Sequence, residues 1–224
     1  MGLILNIESS TTNCSVSLSR DGNLIHCIEK NQSDFKQSDY LHKFIDKLLV
    51  DCEISISNLD AVSISKGPGS FTGLRIGTAS AKGFCYSCDI PLIAINTLQI
   101  LAAGYKTKNK SIIIPLIDAR RMEVYSMVLN NEYEILRETK AEILKPNSFS
   151  EYYSNIEIVI LGTGAKKCKS ILDYNKIKYP RKNIYPSSKN MIEISELLYK
   201  NKNYQDIAYF EPFYLKDFHT NFKK

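Results

Sequence analysis

Blocks of apolar residues with a regular period divide the first hundred residues into strands and helices. The runs of strand length follow turns or polar segments, and they occupy residues 3–7, 14–18, 24–28, 59–65 and 91–95. Helical spacing of apolar positions appears over residues 38–52, 71–86 and 97–103. The resulting order, β-β-β-α-β-α, is typical of a mixed sheet with helices on its faces.

A similar order of elements follows the polar stretch at residues 106–110. The strand patterns lie at residues 111–117, 124–129, 133–143 and 157–161. The helical patterns lie at residues 146–153, 164–172 and 188–199. We therefore predict an α/β protein with two lobes of one type, although the two halves share no obvious sequence repeat.

Three glycines, Gly67, Gly69 and Gly73, follow a predicted strand and open a predicted helix. A turn of this kind can direct backbone N–H groups and the helix dipole at an anion. The two known phosphate signatures are absent, because a P-loop needs Lys after its last glycine and a dinucleotide loop needs glycine where Thr72 stands. A structural turn and a phosphate cradle both remain open.

Two helical faces are candidates for association with another chain. Gly73 and Gly77 share one face of the helix at 71–86, where small residues allow a neighbour to approach closely. That neighbour could be the chain's own sheet or a second subunit. The helix at 38–52 carries an apolar arc of about 180°, whereas burial of one face needs about 100°. Either one edge of this arc meets a partner or the helix is wedged between two internal layers. The arc comprises Tyr40, Leu41, Phe44, Ile45, Leu48 and Leu49.

The composition is that of a globular protein, with 44% hydrophobic and 24% charged residues among 224. No apolar run approaches the length of a membrane-spanning helix, and six cysteines without a secretion signal indicate reduced thiols, hence a cytoplasmic protein without a membrane contact. The net charge of +5 lies mainly in the second half, notably in lysine-rich clusters within residues 166–182. A solvated basic face is the simplest interpretation, and contact with tRNA inside a larger complex is the alternative.

Residues with catalytic or metal-binding potential do not form known constellations. His26, His42 and His219 lack the HxxxH or HExxH spacing of a metal site. Cys85 and Cys88 form an isolated CxxC late in a helix, and we interpret them as core thiols. Asp118 begins a charged turn, where a carboxylate that caps the turn and pairs with arginine is the ordinary explanation.

Four segments in order make the chain resemble the TsaB family. The most specific is GPGSFTGLRIGTASAKG at residues 67–83. The others are IESST at residues 7–11, IDARRMEVY at residues 117–125 and PFYL at residues 212–215. The similarity spans the chain and is strongest over residues 1–130.

The resemblance implies a two-lobed actin-like fold of the sugar-kinase (ASKHA, RNase H-like) type, in which the second lobe is reduced. We place the first lobe, with the association helices, at residues 1–105 and the second at 106–224, and the final segment could pack back on the first lobe. In this family TsaB works with TsaD, the catalytic subunit, and with the ATPase TsaE. Together they transfer threonylcarbamoyl to adenosine 37 of tRNAs that read ANN codons.

The metal-binding HxxxH belongs to TsaD, and this chain has no such motif. The resemblance therefore implies no catalytic residue, metal or cofactor here, and it gives the old label of glycoprotease no support. Glu8 replaces the usual aspartate of the first turn, and Gln37 stands where histidine is common. Both departures weaken a nucleotide-binding interpretation.

Our leading hypothesis from the sequence is a non-catalytic subunit that binds TsaD, joins TsaE in a larger complex and forms homodimers when alone. The predicted partner-binding residues are Tyr40, Phe44, Ile45, Leu49, Gly73 and Gly77. A stand-alone small actin-fold ATPase or carbohydrate kinase is the alternative, and it would bind nucleotide at residues 8–12 and 67–73. A metallopeptidase, the third class, would require bound metal.

Overall fold

A computed structural model describes residues 2–31, 37–107, 109–153, 156–181 and 185–216. The first half forms a five-stranded mixed sheet in the order β3-β2-β1-β4-β5. β1 is antiparallel to β2 and parallel to β4, and β5 continues the parallel half. The strands are β1 (Leu3–Glu8), β2 (Asn13–Arg20), β3 (Asn23–Asn31), β4 (Ala61–Gly67) and β5 (Leu92–Asn96).

Helices cover both faces of this first sheet. α1 (Gln37–Asp51) and α2 (Phe71–Cys88) pack on one face, and α3 (Thr97–Ala103) follows β5. Ser70 caps α2 by accepting a hydrogen bond from the Gly73 amide, and Asn96 caps α3 in the same way from Leu98. The side chain of Gln37 and all of His219 lie outside the described residues.

The second half forms another five-stranded mixed sheet, in the order β10-β9-β6-β7-β8. Its strands are β6 (Ser111–Asp118), β7 (Glu123–Asn130), β8 (Ile135–Ile143), β9 (Glu157–Leu161) and β10 (Ile177–Lys178), and its helix is α4 (Ala165–Lys169). The strand of two residues, β10, was not predicted. The α/β class is confirmed, and so is the predicted order of strands and helices in the first half; the second half departs from it at two places.

The helix predicted at residues 146–153 is wrong, because only a single 3-10 turn forms there, at Ser150–Tyr152. The buried Phe149 adopts a positive φ of 65° immediately before this turn, which no α-helix accommodates. The last predicted helix begins as a 3-10 turn at Ser188–Asn190 and continues as α5 (Ile192–Lys200).

α3 lies between the two sheets and contributes to both cores. Leu98 and Leu101 pack against Ile113 and Val159 of the second sheet, and all four side chains are buried. Ile100, from the same helix, packs against Ile4 and Ile93 of the first sheet. The short helix is therefore a wall shared by the two lobes.

The final segment contacts the first sheet. Met191 joins the core formed by Ile4 and Ile93, and the Ser188 hydroxyl lies 2.7 Å from the Ser15 hydroxyl of β2. Further on, the amide of Gln205 donates to the carbonyl of Leu92 on β5 at 2.8 Å. The lobe boundary at residues 105 and 106 stays a prediction. None of the described helices combines the length and apolar character needed to cross a membrane.

The shared wall makes Leu101 a sensitive position. Leu101→Ala removes a fully buried side chain from between two sheets, and we expect it to lower the free energy of unfolding by about 2–5 kcal/mol. The matched control is Leu197→Ala on α5, where the side chain is 58% exposed and a change within about 0.5 kcal/mol is expected. Urea denaturation of both variants measures the difference, and equal losses would contradict this assignment.

Candidate functional site

The turn between β1 and β2 packs directly on the glycine loop. The amide of Ser70 donates to the carbonyl of Ser10 at 2.6 Å, and the Ser9 hydroxyl donates to the carbonyl of Gly73 at 2.9 Å. A methyl group at Gly69 would overlap the backbone of Ser10. The loop therefore needs glycine for a close approach within the chain.

Three backbone amides at the loop and at the start of α2 already have partners within the chain. The amide of Ser70 is bonded to Ser10, and the amide of Gly73 donates to the Ser70 hydroxyl at 3.3 Å. The amide of Leu74 is also occupied, by the carbonyl of Ser70. Of the two interpretations left open by the sequence, the geometry favours a structural turn over a phosphate cradle.

Glu8 lies at the end of β1, completely buried beneath the same turn. Its Oε1 atom accepts hydrogen bonds from the amide and the hydroxyl of Ser10, at 2.7 and 2.5 Å. Burial raises the pKa of Glu8 from 4.5 to about 7, although the hydrogen bonds from Ser10 oppose this rise. The carboxyl group is thus engaged in holding its own turn.

Gly73 and Gly77 also face this turn, and not the outside of α2. A methyl group at Gly73 would overlap the carbonyl oxygen of Ser9, and one at Gly77 would overlap the Ser9 hydroxyl. A methyl group at Gly77 would also lie 2.9 Å from the Cδ1 atom of Ile64 on β4. Since the close neighbour is the chain's own first sheet, the placement of these two residues on a partner surface is corrected.

The arc of α1 divides into a buried stripe and half-buried edges. Leu41, Ile45 and Leu48 are at most 2% exposed, whereas Phe44 and Leu49 are half-buried. Ile45 was predicted at the exposed edge, and this position is wrong because the spacing of four and then three residues puts it on one stripe with Leu41 and Leu48. Tyr40 is half-buried and its ring lies 6.0 Å from that of Phe44.

A groove of about 590 Å³ runs between α1, α2 and the loop after α1. Its walls include Leu49, Val50, Ile54 and Phe84, and Val50 is 68% exposed. Acidic side chains border the groove, and His42 bridges its two helices, with Nε2 at 3.0 Å from the Ser80 hydroxyl. The polar residues that line the groove are His42, Asp46, Glu53 and Ser55.

The sequence interpretation missed Val50 and the loop at residues 53–56. Val50 falls outside the apolar arc of α1, at about 200° from Leu48, and so was not counted with it. A lone valine on the polar side of an amphipathic helix was the available signal. The loop residues carry no helical period, and only the fold brings them to the groove.

The second lobe has a charged turn between β6 and β7. Asp118 Oδ1 accepts hydrogen bonds from the amide of Arg120 at 2.6 Å and from Lys167 Nζ at 2.7 Å. The carboxylate caps the turn as predicted, but its ionic partner is Lys167 of α4, and the predicted pairing with arginine is wrong. Glu123, at the start of β7, pairs with Lys216.

The cysteines of the described chain carry free thiols. Cys85 is fully buried in the first core, and burial raises the pKa of its thiol to about 12, while Cys88 is half-buried. Within residues 2–31, 37–107, 109–153, 156–181 and 185–216, no three His, Cys, Asp or Glu side chains come together as metal ligands would.

Comparisons with known proteins agree with this architecture. The family model described as TsaD, tRNA N6-adenosine threonylcarbamoyltransferase, matches residues 35–221. The tRNA threonylcarbamoyladenosine biosynthesis protein TsaB of Buchnera aphidicola subsp. Schizaphis graminum is 31% identical over 197 residues, which cover 85% of this chain and 91% of the relative. The protein of the same description from Haemophilus influenzae is 28% identical over 224 residues, with 96% and 93% covered.

The crystal structure of YeaZ from Pseudomonas aeruginosa superimposes with a TM-score of 0.82 at 22% identity, covering 96% of this chain and all of that one. At this level of identity the match concerns the fold alone. It confirms the α/β fold with two five-stranded mixed sheets.

The glycines of α2 give a test within one helix. Gly73→Ala places a methyl group on the backbone of Ser9, and we expect a loss of several kcal/mol, about 3 or more, or failure to fold. Gly83 has no atom within 4 Å of the same position, so Gly83→Ala should stabilise the chain by about 0.5–1 kcal/mol through helix propensity. Denaturation curves of the two variants provide the measurement, and a tolerated Gly73→Ala would refute the close approach.

The buried carboxyl of Glu8 predicts a pH dependence. Because its pKa in the folded chain is about 7 and lies above the ordinary 4.5, its stabilising contribution is complete below about pH 4.5 and is lost as the pH rises through 7. Glu8→Gln cannot ionise, so the parent should lose roughly 2–3 kcal/mol relative to this variant between those pH values. Unfolding measured across this range tests the prediction, and parallel curves for the two proteins would contradict it.

Proposed function

The chain belongs to the TsaB family, and from this premise we propose that it is a non-catalytic subunit of tRNA threonylcarbamoyladenosine synthesis. In this proposal it binds a TsaD homologue, which with a TsaE homologue transfers threonylcarbamoyl to adenosine 37 of tRNAs that read ANN codons. In the absence of that partner it forms a homodimer. Its contribution is a binding surface, and the chemistry takes place on the TsaD side.

The packing of the first turn supports a role without nucleotide chemistry. A stand-alone ATPase or kinase was predicted to bind nucleotide at residues 8–12 and 67–73. Here Ser9 and Ser10 pack directly against the glycine loop, and the amide of Ser70 is bonded to Ser10 at 2.6 Å. The carboxyl of Glu8 is bonded to Ser10 as well. These contacts within the chain occupy groups that the nucleotide was predicted to meet.

The groove between α1 and α2 is the observation that carries the proposal. It exposes aliphatic and aromatic carbon to water at Val50, Leu49 and Phe84, and such a surface with a polar border is typical of an interface. We assign it to the matching helices of the TsaD homologue. A second copy of the chain would use the same groove when alone, so homodimer and heterodimer exclude each other.

The partner-binding residues of this proposal differ from those predicted by sequence. Tyr40, Phe44 and Leu49 stay, since each is half-buried within the chain and can complete its burial against a partner. Val50 and Phe84 join them as walls of the groove. Ile45, Gly73 and Gly77 support the surface from beneath, because each is packed against the chain's own core.

Val50→Arg tests the surface without disturbing the core. The side chain is 68% exposed in the single chain, so the variant should fold normally. In a complex the larger side chain would overlap the partner and its charge would be removed from water, which costs several kcal/mol, and we expect the affinity for the TsaD homologue to fall at least about tenfold. Titration calorimetry measures the affinity, sedimentation measures the homodimer, and reconstituted tRNA modification should decline in parallel.

The control is Leu197→Arg, an equally drastic change at an exposed aliphatic residue on α5, on the other face of the first sheet. It should leave association and modification at the parent level. If Val50→Arg is folded and binds like the parent, the groove is not the interface. If tRNA modification proceeds equally well without this chain, the proposed function itself is wrong.

A further inference from the structure

Two exposed arginines at the tip of the β6–β7 hairpin adopt an unfavourable backbone conformation. Arg120 has a φ of 69° and Arg121 a φ of 47°. Glycine and asparagine accept this left-handed region, whereas a long side chain does so only at a cost. Several other non-glycine residues of the described chain have positive φ, but these two alone are consecutive.

The tip is fixed from below by charged groups that neutralise one another. Asp118 accepts from the Arg120 amide at 2.6 Å and from Lys167 Nζ at 2.7 Å. Lys167 also donates to the carbonyl of Glu123 at 3.0 Å, while the Glu123 carboxylate pairs with Lys216. Both acidic side chains near the tip are therefore engaged by lysines.

Among the described residues, this arrangement assigns the acidic side chains near the tip to lysines and not to the two guanidinium groups. In the part of the chain that the structure describes, neither Arg120 nor Arg121 forms an ion pair with a carboxylate. α4, which is joined to the tip through Lys167, adds the exposed side chains of Lys166 and Lys169. The result is an exposed pair of cationic side chains whose nearby carboxylates, Asp118 and Glu123, are already paired with lysines.

We propose that the Arg120–Arg121 tip contacts the phosphate backbone of RNA, with Lys166 and Lys169 extending the surface. Strained residues persist where the side chains or the backbone serve a function, and here the side chains are two guanidinium groups without another role. A guanidinium group binds phosphate through two parallel N–H bonds, and a cationic surface gains affinity by releasing counterions. The identity of that RNA as tRNA rests on the proposed function.

The deciding variant is Arg120→Asn combined with Arg121→Gly. Both new residues accept the left-handed conformation, so the variant should melt about 2–4 °C above the parent. The probe is an unmodified tRNA transcript, titrated with the complete complex of this chain with its TsaD and TsaE homologues at several salt concentrations. We expect affinity to fall on the order of tenfold and the salt dependence to decrease by about one to two released ions.

Two further variants separate charge and strain. Lys202→Gly relieves a positive φ of 53° at an exposed lysine beyond α5, and it should raise the melting temperature without changing tRNA affinity. Replacement of both arginines by lysine keeps the charges but removes the planar guanidinium groups. It should therefore weaken the affinity for tRNA while the salt dependence of binding stays the same.

Each other outcome overturns the proposal. If the asparagine–glycine variant binds tRNA with the parent's affinity and salt dependence, the tip does not contact RNA. If it loses affinity for the TsaD homologue and not for tRNA, the tip meets an acidic protein surface. If it is less stable than the parent, the arginines serve the fold. Failure of the parent complex to modify tRNA, measured in a separate activity assay, would instead refute the proposed function.

Discussion

The packing of the β1–β2 turn on the glycine loop is the contact from which the positions of the other elements follow. Gly69 and Gly73 let the loop and the start of α2 touch the backbone of Ser9 and Ser10, and Ser70 caps the helix at the same point. α2 is thereby drawn against β1 and β4, and α1 is supported beside it on the same core. The groove lies between these two helices and the loop after α1.

The same contact changes what the fold can do. The first turn and the glycine loop are the segments that the sequence left open as a phosphate cradle, and here they pack against each other through Ser9, Ser10 and Ser70. Glu8 is turned to its own loop and is protonated more readily than an ordinary carboxyl because it is buried. A closed first turn and an open helical groove together suit a protein that acts by contact with another chain.

The two lobes carry different surfaces, and the wall formed by α3 fixes one relative to the other. The groove belongs to the first lobe, whereas the cationic hairpin tip belongs to the second. Since α3 contributes Ile100 to one sheet and Leu101 to the other, the lobes share one continuous packing layer. The end of the described chain adds a second connection between the lobes. The amide of Phe213 donates to the carbonyl of Lys66 in the first lobe at 2.7 Å, and Lys216 pairs with Glu123 in the second lobe.

The sequence by itself determined the long helices and every described strand except the two-residue β10, since these depend on local periods of apolar residues. It also identified the glycine loop and the capping role of Asp118. Only the tertiary structure decided which neighbour each side chain meets: that Ile45 faces the core, that Gly73 touches Ser9, that Val50 borders a groove and that Asp118 pairs with Lys167. The reason is physical. The spacing of apolar residues specifies which face of a helix is buried, whereas the residues that pack against that face are distant in the chain.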